Sequence, residues 1–443
     1  MAHRDHVIYK PSPHAARKLS SHFAVWSIPQ GATGHVQQGQ CDTNRWPAFP
    51  ASRYNSRCCL PQGLPMFIRI TGLATVMGLA LSFSGHAASL VPPPPQINAK
   101  SYLLIDQQSG HALATYNADM RVEPASLTKL LTAYVVMHEI NKGAIKMEDP
   151  VRISEKAWRM QGSKMFIEVN KHIPLKDLMV GMIVQSGNDA TIALAEHTAG
   201  SEDSFAALMN QYAHQLGMKN SHFMNSTGWP DPQHYSTATD LATLTRALIS
   251  EFPEHYSLYK IKEYTYNNIW QYNRNPLLKL DNDVDGVKTG HTDSAGFCLI
   301  GSALKNNMRL IAVVLGTSSE KARETASMAL LNFGFRFYET VPVHTASNPV
   351  TNPDVFKGEK HSVALGLKQN LYITIPRGTR EQVHTSINVN SSIIAPIIKG
   401  KQYGQMEVKV NNQSIIQPLI ALEEVKEGGL WRRTVDSVKL WFE

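Results

Sequence analysis

The order of apolar patterning from residue 99 onward predicts an α+β fold: strand-like runs first, helical runs in the middle, then a β-hairpin and a closing helix. That order places helices clustered against an antiparallel sheet. After Val343 the pattern alternates at period two and predicts a small β-rich domain. The segment from Gly429 to Glu443 reads as an amphipathic helix.

A chain of 443 residues, 43% hydrophobic and 18% charged, can bury more than one core. Its formal charge of +7 is unevenly placed. Residues 1–87 carry eight Lys/Arg and two Asp/Glu, and the remainder holds 35 positive and 34 negative charges. The basic balance therefore gives no ground for a nucleic-acid partner.

Met66-Phe67-Ile68-Arg69 opens an apolar, small-residue run to Phe83, and Gly85-His86-Ala87 supplies small residues where a signal peptidase reads. The run is short for a membrane span, and Pro92–Pro95 follow at once as a stiff linker. The expectation is a secretory signal at 66–87, a linker at 88–98, and residues 1–65 as an upstream misreading of the start. Cys41, Cys58 and Cys59 lie in that lead, so the exported chain keeps only Cys298 and no internal disulfide. Cys298 sits in an apolar run and reads as a core residue.

In the domain at 99–343, Ser101–Ile105 and His111–Tyr116 flank Gln107-Gln108-Ser109-Gly110 as a hairpin. Pro124 stands at the front of an apolar helical run through Met137, where its missing N–H is harmless. Residues 141–172 are polar and turn-rich. Helical runs follow at Leu175–Val184, Thr191–Thr198, Ser204–Leu216 (stopped by Gly217) and Thr239–Ile249. Tyr264–Tyr266 and Asn273–Leu280 read as extended. Gly296–Leu304 and Met308–Leu315 form a hairpin across Lys305-Asn306-Asn307, and Ala322–Tyr338 is the closing helix.

A polar linker at 344–354 leads to the β-rich domain at 355–427, which shows no catalytic constellation. On the terminal helix, placed at 428–443, Leu430, Trp431, Thr434, Val435, Val438, Trp441 and Phe442 share one sector. Arg432, Asp436 and Lys439 lie opposite. Two tryptophans with cations on a short amphipathic helix suit a membrane interface; the less favoured alternative is a helix docked on the β domain.

Ser126 and Lys129 are three apart at the front of a helix and so share a face. A hydroxyl beside an amine is what an activated serine nucleophile needs. Alone the pair is a chance-level motif. It is followed in order by Ser186-Gly187-Asn188, between helices, and by Lys288-Thr289-Gly290, before a hairpin. S-x-x-K, S-x-N and K-T-G in that order are the triplet of serine acyl-transfer enzymes that react with penicillins. No G-x-S-x-G elbow, H-E-x-x-H or nucleotide fingerprint is present, so neither a hydrolase-type triad nor a cofactor is expected.

Glu123–Lys129, Gln185–Ala190, Asp285–Thr292 and Phe333–Phe337 together resemble the signatures of the low-molecular-mass penicillin-binding proteins. The match is to the D-alanyl-D-alanine carboxypeptidases of the penicillin-binding protein 5/6 group. The resemblance implies a penicillin-binding-protein/β-lactamase-like transpeptidase fold. It implies removal of the terminal D-alanine from peptidoglycan stem pentapeptides through an acyl-enzyme on Ser126. Lys129 would be the base and Ser186 the proton relay. Asn188 would hold the substrate amide, Lys288 and Thr289 its carboxylate, with Gly290 beside them. Backbone N–H groups of Ser126 and His291 would form the oxyanion hole. Arg274 resembles a family arginine near that carboxylate, or else braces the sheet.

The same resemblance implies β-lactams as covalent inhibitors and a place on the periplasmic face of a bacterial inner membrane. A β-lactamase would need a deacylating Glu in a loop after Asn188, and none is found. An endopeptidase of the same fold would cleave cross-links instead, and usually lacks a β domain. A non-enzymatic cell-wall scaffold is opposed by three intact motifs.

Overall fold

The computed structural model describes residues 91–346, 348–410 and 413–442. The expectations for residues 1–65, the signal at 66–87 and three of the cysteines lie outside the described residues.

Strands β1 (Ser101–Asp106) and β2 (Ala112–Tyr116) pair as the opening hairpin. A 3₁₀ turn, Ala125–Thr128, then leads into α1 (Lys129–Asn141). The turn-rich stretch that follows contains β3 (Pro150–Arg152) and α2 (Glu155–Arg159), and β3 pairs with β4 (His172–Pro174). The helical block is α3 (Leu175–Val184), α4 (Asn188–Ala199), α5 (Glu202–Gln215), α6 (Ala238–Glu251) and the single turn α7 (Pro253–Tyr256).

The segment expected to be extended, Asn273–Leu280, is not. Strands β5 (Glu263–Tyr266) and β6 (Ile269–Tyr272) form a hairpin that ends before it. Asn273 Oδ1 then accepts from the Asn275 N–H (2.9 Å) and Asn275 Oδ1 from the Leu277 N–H (3.1 Å). These side-chain turns replace strand pairing and start the short helix α8 (Leu277–Leu280).

Strands β7 (Val284–Thr292), β8 (Gly296–Lys305) and β9 (Met308–Thr317) complete an antiparallel sheet in the order β2-β1-β9-β8-β7. Lys288-Thr289-Gly290 therefore lies on the edge strand β7, directly ahead of the β8–β9 hairpin. Alternate residues serve two cores because successive side chains leave a strand on opposite faces. Leu103, Val287, Ile300, Ile311 and Val313 pack with α1 and the helical block. Leu104, Leu299, Leu310 and Val314 pack with Leu330, Leu331 and Phe333 of α9 (Glu320–Phe337).

The chain leaves this domain through β10 (Tyr338–His344). The linker boundary expected at 343 falls on this strand, which pairs with the second domain. The remaining strands are β11 (Pro349–Thr351), β12 (Val355–Phe356), β13 (Leu365–Gly366), β14 (Leu371–Pro376), β15 (Val383–Val389), β16 (Ile393–Ile394), β17 (Gln402–Val410) and β18 (Gln413–Ala421). β10 pairs with β14, and the main sheet runs β11-β13-β18-β17-β15 around a core of Val363, Ile373, Val408 and Leu419.

The last helix, α10 (Leu430–Lys439), packs by its polar edge. Asp436 is buried and accepts the Lys357 N–H at 2.6 Å, and Arg432 reaches His361 at 2.7 Å. Its apolar sector faces outward, with Trp431 83%, Trp441 91% and Phe442 87% exposed. Among the described residues no helix is long and apolar enough to cross a membrane.

Candidate active site

The Ser126 turn, the start of α4 and the edge strand β7 meet at one cleft. Leu127 and Leu130 are fully buried, which anchors the 3₁₀ turn, and α1 then carries Lys129 inward. Gly290 allows β7 to approach this turn: a Cβ there would lie 2.9 Å from the Pro124 carbonyl and 3.3 Å from the Leu127 nitrogen. Three non-glycine residues around the cleft hold left-handed backbone, Ala125 (φ 48°), Phe166 (φ 70°) and Ser186 (φ 63°). Each conformation costs about 1–3 kcal/mol, which the surrounding packing must overcome.

Lys129 is 1% exposed. Its Nζ lies 3.0 Å from Ser126 Oγ and 2.7 Å from the Thr227 carbonyl. Burial is the largest influence on this amine and lowers its pKa to about 7; Asp189 pulls it up and Arg274 pushes it further down. Lys288 is itself pushed well below the ordinary lysine range, by burial first and then by Lys129, Arg274 and Arg323. A neutral Lys129 amine that donates one hydrogen to the Thr227 carbonyl can aim its lone pair at the Ser126 hydroxyl, the geometry a general base needs.

Lys288 donates to Ser186 Oγ at 2.9 Å and to the Thr289 carbonyl at 3.0 Å. Asn188 is the first residue of α4 rather than part of a loop. Its Nδ2 donates to the Gln161 carbonyl at 2.7 Å, while its buried Oδ1 has no partner among the described residues. Thr289 is buried beside Lys288, and the exposed His291 ring packs on Phe297 with centroids 4.0 Å apart. Arg274 is tied to the residues just before Ser186, its backbone N–H on the Val184 carbonyl and its Nε on the Gln185 carbonyl, each at 3.1 Å. All nine residues singled out from the sequence thus lie on the three converging segments or directly against them.

Two features escaped the sequence reading. Arg323, 5% exposed on α9, directs Nη1 at the Gly290 carbonyl (3.4 Å) behind β7 and leaves a buried Nε without a partner among the described residues. A signal was available: Arg323 shares the buried stripe of α9 with Ala326, Ser327 and Leu330, where an arginine is out of place. The other is the Asn225–Trp229 loop over Lys129. Asn225 Oδ1 gathers the N–H groups of Gly228 (2.8 Å) and Trp229 (3.0 Å), and Ser226 is held by Glu202. Nothing in its local pattern points to the lysine it covers. Among the described residues no group of three or more His, Cys, Asp or Glu is arranged to hold a metal.

The chain is similar to known proteins over both domains. Residues 88–319 match the family described as D-alanyl-D-alanine carboxypeptidase, and residues 338–427 match the C-terminal domain of penicillin-binding protein 5. D-alanyl-D-alanine carboxypeptidase DacA of Escherichia coli (strain K12) is 42% identical over 385 residues, 84% of this chain and 95% of the relative. Penicillin-binding protein 5 from Haemophilus influenzae superposes with a TM-score of 0.72 at 41% identity, covering 76% of this chain and all of that one. Penicillin-binding protein D2 from Listeria monocytogenes, in its ampicillin-bound form, matches 55% of this chain and all of that one at 28% identity and a TM-score of 0.51. With its motifs gathered in one cleft, and with this extent of likeness in both domains, the chain belongs to the D-alanyl-D-alanine carboxypeptidase family of penicillin-binding proteins.

Proposed function

We propose that the protein is a serine-type D-alanyl-D-alanine carboxypeptidase that trims the terminal D-alanine from peptidoglycan stem pentapeptides. The observation that carries this reading is the buried Lys129 amine, 3.0 Å from Ser126 Oγ, with a pKa near neutrality. Ser126 Oγ attacks the carbonyl of the penultimate D-alanine as Lys129 takes its proton. The tetrahedral oxyanion is held by the N–H groups of Ser126 and His291. As the C–N bond breaks, Ser186 passes a proton to the departing D-alanine, leaving an acyl ester on Ser126. Water then hydrolyses the ester and frees the shortened peptide.

The substrate's terminal carboxylate sits near Lys288, Thr289 and Arg274, with Arg323 as a further cation behind Gly290. A chain end is thereby distinguished from an internal peptide bond, since only the end carries that charge. β-Lactams acylate the same serine.

The catalytic domain ends with α9 at Phe337, the β-rich domain runs from β10 to residue 427, and the terminal helix follows at 428–443. The exported protein works on the periplasmic face of the inner membrane. The outward aromatic face of α10 supports a peripheral hold on the lipid interface.

Incubation with a labelled penicillin followed by peptide mapping tests the reading. A slowly released adduct on Ser126, together with free D-alanine from a pentapeptide, is the expected result. Rapid penicillin turnover would point to a β-lactamase, and no adduct would remove the enzymatic reading altogether.

A further inference from the structure

One buried carboxylate beside the cleft has no part in the chemistry above. Asp189, the second residue of α4, is buried, and no cation contacts it among the described residues. Four backbone donors surround it instead. Its Oδ1 accepts from the Met165 N–H (2.8 Å) and its own neighbour Ala190 (2.9 Å). Its Oδ2 accepts from Phe166 (2.9 Å) and Ile167 (3.3 Å). Three consecutive N–H groups of one loop thus converge on one side chain, and Phe166 adopts left-handed backbone within that loop.

The same loop touches the neighbouring residue on its other side. Asn188 donates its backbone N–H to the Ser163 carbonyl (2.7 Å) and its Nδ2 to the Gln161 carbonyl (2.7 Å). Because the Gln161 carbonyl can only accept, it fixes which way the Asn188 amide points. The buried Oδ1 is left without a partner among the described residues. Gly162 closes the contact, since a Cβ there would lie 2.7 Å from Asn188 Nδ2.

We propose that Asp189 is a positioning residue: by clamping residues 165–167 it holds the Gln161 carbonyl against Asn188, so that the Asn188 amide keeps one orientation toward the substrate amide. This rests on the carboxypeptidase reading. Without the clamp the amide is free to turn and exchange its donor and its acceptor at the substrate.

An Asp189→Asn variant replaces one carboxylate oxygen by an NH2 group that faces two backbone N–H groups, so the loop is released. It also removes a negative charge whose field raises the Lys129 pKa. The other charged or titratable groups around Lys129 are Arg274, Lys288 and His234, and those facing Asp189 include Tyr264 and Tyr266. Burial lowers the His234 pKa to about 4, so it stays neutral between pH 5 and 8.

The test uses the full chain with a pentapeptide and a fluorescent penicillin. In Asp189→Asn the KM is expected to rise about tenfold, and the acid limb of acylation to move to lower pH. Gly162→Ala disturbs the amide contact and leaves the charge in place, so its KM rises with the acid limb unmoved. A KM within twofold of the parent in either variant overturns the proposal, as does an unmoved limb in Asp189→Asn. If Asp189→Asn does not fold, Gly162→Ala decides alone. A parent protein that forms no Ser126 adduct would instead sink the carboxypeptidase reading.

Discussion

Lowering the pH from 8 to 5 should switch off acylation through a single amine. Lys129 titrates at about 7, so about nine-tenths of it is neutral at pH 8, half at pH 7 and only about 1% at pH 5. An ordinary lysine near 10.4 would be neutral in roughly one molecule in 2,500 at pH 7. Burial therefore raises the supply of free base at neutral pH by about three orders of magnitude. If proton transfer from Ser126 to Lys129 accompanies attack, the second-order acylation rate should fall about ninetyfold from pH 8 to pH 5, close to tenfold per unit below 6.

The assay is stopped-time labelling with a fluorescent penicillin at constant ionic strength, with melting temperature recorded at each pH. The sign for stability follows from the same shift. The folded-state pKa is depressed, so the burial penalty on the cation is fully present below pH 7. It is relieved as pH rises from 7 towards 10.5. An acylation rate that changes less than about threefold over this range, in protein that stays folded, would refute Lys129 as the base.

The other predictions concern separate parts of the molecule. Arg323→Gln should raise the KM for pentapeptide about tenfold with a smaller change in kcat, because it removes one cation from the carboxylate site; steady-state kinetics checks this. Gly228→Ala would place a Cβ 1.8 Å from the Ala125 carbonyl at a φ of +82°, so it should lower stability by about 2 kcal/mol or more and slow acylation, read by denaturant melts and penicillin labelling. Removing residues 429–443 should release the protein from sedimenting phospholipid vesicles while leaving D-alanine release in solution unchanged. N-terminal sequencing of the exported protein should read from Ala88.

The order of the three motifs, the Ser126–Lys129 pairing and most helices were legible in the sequence because each rests on local spacing. A three-residue separation on a helix places two side chains together whatever the rest of the chain does. The hairpin of β8 and β9 was equally local, since its strand period and turn residues lie within one stretch. The terminal helix could be recognised as two-faced for the same reason.

Tertiary structure alone decided which face of that helix turns outward, because the docking partners of Arg432 and Asp436, His361 and Lys357, lie more than seventy residues earlier. It placed Lys288-Thr289-Gly290 on the sheet edge facing the serine. It also brought the Thr227 carbonyl to Lys129 and Arg323 to Gly290. The nucleophile and its base could be named from one turn of helix. The burial that brings the amine's pKa to about 7 comes from elements distant in the chain, among them the Thr227 loop 98 residues on, and only packing brings them there.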